Sequence, residues 1–413
     1  MDINQSTNDA RAQIIDNLLA QASIGDPTDY PHVTDLREHV LLVHGDLGTG
    51  ERLFAVKQSR LIEDKEMCRL QPVIFVMGLF HLLMACAEAI WRMYIEPKEV
   101  RTDREPNSMY NHACGVRLGD SGCIGSKPSF RMMHEIIHQS AYARMLDCWR
   151  VKVKMRLRLT MLEAFAESKP TWDQIVELSL VLAQTYVDHE HTDDQEFRNN
   201  SLILGQLIQY VELAHAMKHG DIGRVEATFL HWVFVFKSVG KHKYATHLVK
   251  VMNDLRYVYP ERLKRAIRLN WLCNPTGTVN SFRAIDWLVE LLNLFTKVIY
   301  GSSGSSRTFD LILKQSPLIS IFRWIMTIVQ DNFHLLHRSV RHAPADLTKT
   351  LQFLRERLEH HRAYEQVPGR TAYQLKDHFR EGMQVLQMEK TRIDQDGASE
   401  TVVAGIEIED LEV

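Results

Sequence analysis

Two short apolar runs near the start of the chain constrain its fold more than any other feature. The first, Leu41-Leu42-Val43, stops abruptly at Gly45-Asp46, and the second, residues 73–76, stops at Gly78. Apolar runs this short, bounded by turn residues, are typical of strands that are buried on both faces. The sequence therefore predicts a two- or three-stranded sheet within residues 40–77.

The segments that follow the two predicted strands have the pattern of helices. Thr49 is a plausible N-cap for a helix over residues 51–62. Residues 79–95 are apolar on nearly every side, which predicts a helix buried in the core. His81 and Arg92 make this helix too polar to span a lipid bilayer. Together these elements predict a small α/β nucleus.

Asp46 stands at the carboxyl end of the first predicted strand. Ligands and catalytic groups often collect at that edge of open α/β sheets, so Asp46 is a candidate catalytic acid. The alternative is that its carboxylate only caps the turn into the helix that follows. Spacing alone favours the second interpretation and leaves the first open.

The net charge of the chain limits the functions that it can have. Its 413 residues include 49 Lys and Arg against 52 Asp and Glu, a formal net charge of −3. Any nucleic-acid role must therefore rest on a local cationic surface. The polar, acidic amino terminus does not resemble a signal peptide, which predicts a soluble protein of the nucleus or cytoplasm without a membrane partner. A small-molecule ligand is not expected.

Periodicity and composition divide the chain into successive segments. The predicted organisation is an N-terminal helix and loop (1–38), the α/β nucleus (39–95), a long Gly-, Pro- and Ser-rich loop (96–128), a helical body (129–335), a peripheral pair of helices (336–390) and a disordered acidic tail (391–413). Residues 39–335 form the main domain, and the helices over 197–272 carry its structural centre. The predicted fold class is α+β and predominantly α-helical, with a small remnant sheet before a large helical body.

The one dense basic stretch lies at residues 150–158, where basic and apolar residues alternate strictly. In a strand, this pattern would present five cations on one face, which suits a phosphate backbone. The candidate nucleic-acid contacts are Arg150, Lys152, Lys154, Arg156 and Arg158. A solvated helix or edge strand is the commoner outcome for such a charge run, and it is the favoured alternative.

Two groups of metal-binding residue types lack the spacing of a metal site. His112, Cys114 and Cys123 lie in one predicted loop without a fourth ligand, and the six cysteines include no Cys-x-x-Cys pair. Asp188-His189-Glu190-His191 lies in an acidic segment that is typical of a solvated loop. We therefore expect no zinc site and no resident cofactor.

Seven short motifs occur in order between about residue 35 and about residue 335. They are His44-Gly45-Asp46 with Glu51-Arg52, Gly78-Leu79-Phe80-His81, Asp147-Cys148-Trp149-Arg150, Gly220-Asp221-Ile222-Gly223-Arg224-Val225, Lys243-Tyr244-Ala245, Asn270-Trp271-Leu272 with Asn274-Pro275-Thr276-Gly277, and Leu291-Leu292-Asn293. In this order they resemble a family of uncharacterised fungal proteins, abundant in basidiomycetes and grouped only as a domain of unknown function. No single motif is specific for the family, but the shared order is.

The resemblance implies descent from a mobile element, because members of this family resemble cut-and-paste transposases with a ribonuclease-H-like core. In such a core, carboxylates hold two metal ions that activate the attacking oxygen and stabilise the leaving one. On this analogy Asp46 is the strand-end acid and Glu212 is the helix-borne acid. Mg²⁺ is implied only if the chain is an active enzyme.

The sequence departs from the family pattern in two ways. Leu47 follows Asp46 where the family has Gln, so a polar neighbour of the acid is lost. A ribonuclease-H-like sheet also needs an earlier strand meander with the first carboxylate, whereas residues 1–38 predict a helix and a loop. We therefore expect a catalytically inactive remnant that derives from the C-terminal part of a longer ancestor.

Three functions are compatible with these observations. The first is a transposase-derived protein of unknown cellular role, without nuclease activity, that binds DNA or has lost that partner as well. The second is a metal-dependent, ribonuclease-H-like DNA-processing enzyme that another chain completes. The third is a helical protein-interaction module, which applies if the α/β nucleus does not form.

Overall fold

Short strands and many helices alternate early in the chain, and helices alone fill most of the remainder. The computed structural model describes residues 7–28, 31–37, 39–126, 128–187, 192–300, 308–334 and 346–396. The fold is α+β and predominantly α-helical, which confirms the predicted class. Residues 188–191 and 397–413, on which two of the predictions fall, lie outside the described residues. The first six residues of the predicted tail, 391–396, are helical, which corrects its predicted start.

The amino-terminal part contains the α/β nucleus. Its elements are α1 (Asn8–Gln21), β1 (Ile24–Gly25), β2 (Thr34–Asp35), β3 (Leu41–Gly45), α2 (Leu47–Ser59), β4 (Val73–Met77) and α3 (Leu79–Tyr94). Strands β3 and β4 form a parallel two-stranded sheet whose register runs from Leu41 opposite Val73 to Gly45 opposite Met77. The predicted sheet is therefore confirmed, with two strands.

Helix α2 begins earlier than predicted. Its N-cap is Asp46, whose carboxylate accepts a hydrogen bond from the backbone N–H of Thr49. The prediction that Thr49 is the cap was wrong, because the chain turns into the helix directly after the strand. An aspartate at this position satisfies one of the free N–H groups at the start of a helix.

Helix α3 lies in the centre of the largest hydrophobic cluster, as its apolar sequence predicts. Leu79, Leu82 and Ile90 are fully buried there together with Trp232 and Trp271 from later helices and turns. The helices of the middle of the chain are α6 (Phe130–Leu157), α7 (Leu162–Glu167), α8 (Trp172–Tyr186), α9 (Gln195–His219), α10 (Ile222–Ser238), α11 (His242–Asn253), a π-helical turn (Asp254–Val258) and α12 (Glu261–Leu269).

The segment 96–128 is not the long loop that its composition predicted. It contains a short 3₁₀ helix (Lys98–Arg101), α4 (Met109–Val116) and α5 (Ser121–Ser126). Ser108 caps α4, and Met109, Ala113 and Ile124 are buried in the main cluster. Burial of these few apolar residues stabilises helices that their Gly- and Ser-rich neighbours do not favour.

The carboxyl-terminal part begins with a small hairpin and ends with two packed helices. Its elements are β5 (Leu272–Cys273), β6 (Arg283–Ala284), α13 (Ile285–Tyr300), α14 (Phe309–Gln315), a 3₁₀ turn (Ser316–Leu318), α15 (Ile319–Asn332), α16 (Thr348–His360) and α17 (His378–Asp396). The helical stretch Asp310–Asn332 is long and apolar enough to cross a membrane by length and composition alone, and its apolar window is not buried.

Helices α16 and α17 are not peripheral, which corrects the prediction for residues 336–390. Leu354 and Leu358 of α16 are buried in a second cluster that includes residues of α6. A Cβ atom on Gly382 of α17 would overlap with the backbone of Phe234 in α10, so the two helices approach closely. Contacts between segments so distant in sequence leave no periodic signal from which they could be predicted.

Candidate functional site

The carboxyl ends of β3 and β4 meet at one edge of the small sheet. Because the strands are parallel and in register, the residues after Gly45 and after Met77 leave the sheet side by side. Asp46 follows the first strand, and His81 lies in the first turn of α3 after the second. The structure therefore brings Asp46 and His81 to the same edge.

Asp46 is held by the turn that it caps. One carboxylate oxygen accepts hydrogen bonds from the Thr49 backbone N–H at 2.7 Å and from the Thr49 hydroxyl at 2.8 Å. Burial opposes ionisation of Asp46, but the bonds from Thr49, with the charges of His81 and Arg52, outweigh it and lower its pKa. Asp46 therefore has the capping role that spacing favoured, and it is ionised.

A second acid, Asp286, reaches this edge from the first turn of α13. Its carboxylate accepts hydrogen bonds from the backbone N–H groups of Phe80 at 3.1 Å and His81 at 3.0 Å, and it lies 2.9 Å from the His81 Nδ1. Asp286 is only 3% exposed. It therefore caps α3 from outside that helix, where free N–H groups favour a negative charge.

Gly78 is required for this approach. A Cβ atom at residue 78 would overlap with the carboxylate of Asp286, so any larger residue would push α13 away from α3. Two motif residues thus depend on Asp286: Gly78 leaves room for its carboxylate, and His81 forms a hydrogen bond with it.

The hydrogen bond with Asp286 raises the pKa of His81. Burial of the imidazole opposes this shift, and the negative charges of Asp286, Asp46 and Glu290 reinforce it. The bond engages Nδ1, so the free nitrogen is Nε2, which lies 3.8 Å from a carboxylate oxygen of Glu290. His81 is therefore a partly exposed imidazole surrounded by three acids.

Several sequence motifs meet at this edge although they lie far apart in the chain. Lys243 forms an ion pair with Glu51 at 2.9 Å, and the Tyr244 hydroxyl donates to the His81 carbonyl at 3.4 Å. The Trp271 indole N–H donates to the carbonyl of Met77, the last residue of β4, at 2.7 Å. The motif residues thus stabilise the surroundings of the edge.

The turn after Trp271 leads directly to Asp286. Asn270 ends α12, and the residues from Asn274 through Pro275 to Gly277, which has a φ of 66°, connect β5 to β6. The Asn274 amide donates to the carbonyl of Thr278 at 2.8 Å and closes this turn. Since β6 ends at residue 284, the turn positions α13 and its acids.

Glu212 lies on α9, as predicted, but its carboxylate is paired with Arg224. The guanidinium of Arg224 donates two hydrogen bonds of 2.6 Å to the two oxygens of Glu212. Asp221 caps α10 through the Arg224 backbone N–H, and Gly223 lies in the first turn of that helix. These motif residues therefore join α9 to α10. The helix-borne acids that approach His81 are instead Asp286 and Glu290.

His44, the motif residue at the end of β3, is partly buried. Its Nδ1 atom has no hydrogen-bond partner among the described residues. Burial lowers the pKa of His44, against the charge of Asp286. The ring is therefore neutral at neutral pH, in contrast to the raised pKa of His81.

The family comparison matches most of the chain. The profile of a family described as "Family of unknown function (DUF6589)" matches residues 1–342. The chain belongs to this family. No curated protein and no solved structure matched the chain in two further comparisons. The family region begins earlier than the motifs and includes the whole edge with Asp46, His81 and Asp286.

The basic stretch within the family region is helical, which agrees with the favoured alternative of a helix, and the strand with five cations on one face does not form. Residues 150–157 continue α6, which begins at the Ser129 cap, and Arg158 follows as its C-cap. Arg150 is only 3% exposed and is paired with Asp147 at 2.7 Å and Glu359 at 3.2 Å. In a helix, alternate residues point in different directions, so the five cations do not share one face.

The four other cations of this stretch have separate environments. Lys152 is half-buried, with its ammonium 5.4 Å from the centre of the Tyr186 ring. Arg156 lies 3.7 Å from Glu177. Lys154, Arg156 and Arg158 are exposed. The stretch therefore offers three exposed cations at the end of α6.

The acids at the edge do not fit a two-metal centre of the kind that the resemblance implies. Such a centre needs several carboxylates that converge on the ions with free oxygens. Both oxygens of Asp286 accept hydrogen bonds from α3, and one oxygen of Asp46 accepts two from Thr49. Across the described residues, no group of three or more His, Cys, Asp or Glu is arranged to hold a metal ion. His112, Cys114 and Cys123 therefore do not form such a group.

Sequence reasoning missed Asp286 and Glu290. They lie four residues apart on one helix, between the Asn274–Gly277 turn and the Leu291-Leu292-Asn293 motif. Acids at that spacing share a helix face. Their position between two family motifs was the available signal.

Proposed function

We propose that the chain is a transposase-derived protein of fungal, ribonuclease-H-like descent that binds nucleic acid inside the cell without cutting it. The order of elements supports this descent: Asp46 directly follows a strand, a parallel strand leads to His81, and a later helix brings two acids to the same edge. The family match alone concerns a family of unknown function.

The environment of Asp286 carries the proposal that the chain does not cleave nucleic acid. Its buried carboxylate accepts hydrogen bonds from two backbone N–H groups and lies against the His81 imidazole. Asp286 is 3% exposed, so a metal ion would reach it only if the carboxylate moved away from the α3 N-terminus, and buried N–H groups without acceptors are costly. Asp286, the acid that a metal centre at this edge would need, thus stabilises the packing of α3 against α13.

A metal-dependent DNA-processing enzyme is the second candidate, and one observation favours it. Asp46, His81 and Glu290 converge on one edge, and the His81 Nε2, which lies 3.8 Å from a Glu290 carboxylate oxygen, would be able to bind a metal ion once it has lost its proton. Carboxylates supplied by another chain could complete that set. This candidate requires metal-dependent cleavage, which the first excludes.

A combined binding and cleavage assay distinguishes the two candidates. Purified chain is incubated with labelled single-stranded and duplex DNA in the presence of Mg²⁺ or Mn²⁺. Products are separated on a denaturing gel, and binding is followed by fluorescence anisotropy. We expect DNA to be bound and left intact by the wild type and by Asp46→Asn alike.

Asp221→Asn is the matched control, because Asp221 caps α10 in the way that Asp46 caps α2. Metal-dependent cleavage that Asp46→Asn and Glu290→Gln abolish and Asp221→Asn retains would support the enzyme and overturn the proposal. A wild-type chain that binds neither form of DNA would overturn the nucleic-acid role.

A further inference from the structure

Helix α12 separates its apolar and charged residues onto opposite sides. Leu263, Ala266 and Ile267 are half-buried or buried and face the core. The other side carries three exposed arginines, the half-buried Lys264 and a single acid, namely Arg262, Arg265, Arg268, Lys264 and Glu261. At about 1.5 Å per residue, this side extends for about 13 Å. It is a dense cationic surface on a chain whose net charge is negative.

Two of the four cations have carboxylate partners. Lys264 lies 2.7 Å from Glu261, and Arg268 donates to Glu226 at 2.7 and 2.9 Å. Arg262 and Arg265 are exposed and have no carboxylate partner within the described part of the chain. Their charges are therefore available to an external anion.

An exposed aromatic side chain precedes these two arginines by five and eight residues in the sequence. Tyr257, in the π-helical turn that precedes α12, is 61% exposed. The guanidinium of its neighbour Arg256 lies 5.3 Å from the centre of the Tyr257 ring. An exposed aromatic ring beside arginines is the combination that binds single-stranded nucleic acids, because bases stack on the ring while the cations contact phosphates.

The structure also links α12 to the acidic edge. Trp271, two residues after the end of α12, donates to the Met77 carbonyl, and Leu272 pairs with Ala284. The helix is therefore anchored beside the point where β4 ends. A polyanion on α12 would lie against a fixed part of the molecule.

We propose that α12, with Arg256 and Tyr257, is the surface that binds single-stranded nucleic acid. Arg262 and Arg265 contact backbone phosphates, and Tyr257 stacks on a base. This inference rests on the proposed nucleic-acid role and replaces the 150–158 stretch as its main contact. An anionic membrane fits less well, because interfacial helices need an exposed apolar face, and Leu269 is the only large apolar residue of α12 that is exposed.

The first test compares two double variants that each remove two exposed cations. Arg262→Gln with Arg265→Gln alters α12, and Lys154→Gln with Arg156→Gln alters the end of α6. Binding of a fluorescently labelled single-stranded DNA is measured by anisotropy over a range of NaCl concentrations. Melting temperatures by circular dichroism check that both variants fold as the wild type does.

We expect the α12 variant to bind single-stranded DNA roughly 25-fold more weakly at 0.1 M salt, because each phosphate contact on a single strand contributes about 0.7 to the slope of log affinity against log salt. The slope itself should fall by about 1.4. The α6 variant should differ from the wild type by less than about twofold.

The outcomes separate this inference from the function on which it rests. If the wild type binds DNA and the α12 variant binds as tightly as the wild type, the inference is overturned and the nucleic-acid role is kept. The same holds if the α6 variant binds more weakly than the α12 variant. A wild type that binds no nucleic acid would overturn both. Binding to vesicles of anionic phospholipid in preference to DNA would also overturn the inference.

Tyr257→Ala tests the stacking contact separately. We expect it to weaken binding of single-stranded DNA at least about fivefold, since stacking on an aromatic ring contributes to each bound base. Binding of duplex DNA, whose bases are already stacked, should not change. An unchanged affinity for single-stranded DNA would overturn the assignment of Tyr257.

Discussion

The imidazole Nδ1 of His81 lies 2.9 Å from a carboxylate oxygen of Asp286, although 205 residues separate them in the chain. The same carboxylate accepts hydrogen bonds from the first backbone N–H groups of α3. This relationship joins the α/β nucleus to α13 at the edge where β3 and β4 end. It makes the edge a structural joint between distant segments.

Removal of the Asp286 carboxylate should destabilise the whole domain. Asp286→Ala leaves three donors of α3 without an acceptor, and we expect it to lower the free energy of unfolding by about 2–5 kcal/mol. Glu290→Gln, which changes a half-buried acid four residues away, should lower it by less than about 0.5 kcal/mol. Urea denaturation measures both. If both variants lower the free energy of unfolding by equally small amounts, the contact between Asp286 and α3 does not stabilise the domain.

The His81–Asp286 pair should make stability depend on pH in a defined direction. The pKa of His81 is raised above 6.5 in the folded protein, so the folded state binds this proton more tightly than the unfolded chain does. The stabilisation is therefore complete below about pH 6.5 and is lost as the pH rises through the folded pKa.

His81→Gln provides the reference for this effect, because the other histidines titrate in both proteins and cancel. The free energy of unfolding should differ more between wild type and His81→Gln at about pH 5.5 than at about pH 8.5. Urea titrations at the two pH values measure this difference. A difference that grows with pH would show that His81 is not stabilised in its charged form.

Trp271 should be among the most costly large residues to truncate. It is fully buried, and its indole N–H donates to the end of β4. We expect Trp271→Ala to cost about 3–5 kcal/mol, the range for deletion of a large buried aromatic side chain. Trp172 is 75% exposed, and Trp172→Ala should change stability by less than about 0.5 kcal/mol. Similar melting temperatures for the two variants would contradict this account.

Two glycines should respond in opposite directions to the same substitution. Gly382→Ala forces a Cβ atom against the backbone of Phe234 and should destabilise the packing of α17 on α10 by about 1–3 kcal/mol. Gly205 lies within α9 and has open space around it, so Gly205→Ala should stabilise the protein by about 0.5–1 kcal/mol. Thermal unfolding of both variants tests this, and a neutral Gly382→Ala would show that α17 does not dock closely.

Local pattern was sufficient to predict much of this fold. The apolar runs at 41–43 and 73–76 are strands, and the helices over 197–272 carry a buried core that includes Tyr210 and Phe229. The turn at Gly220-Asp221 separates α9 from α10 as predicted. These elements are set by periodicity, caps and glycines, which act over a few residues.

Local pattern was insufficient where distant contacts decide the structure. The alternating 150–158 stretch is helical, and the charge of Arg150 is neutralised by Asp147 and by Glu359, which lies on α16. Glu212 was nominated as the helix-borne acid by analogy, from its place on the long helix before Gly220-Asp221, and its carboxylate is paired with Arg224. The acids at the edge come from α13, and no local pattern shows which helix will reach His81.

Metal binding at the edge is the most direct test of the central claim that this edge joins the nucleus to α13 and does not hold catalytic ions. Mn²⁺ is titrated into the wild type, Asp46→Asn and Glu290→Gln, and free Mn²⁺ is measured by electron paramagnetic resonance. We expect the three proteins to give the same titration, without a saturable site, because both oxygens of Asp286 and one oxygen of Asp46 already accept hydrogen bonds. Saturable Mn²⁺ binding by the wild type that is lost in both variants would contradict the account.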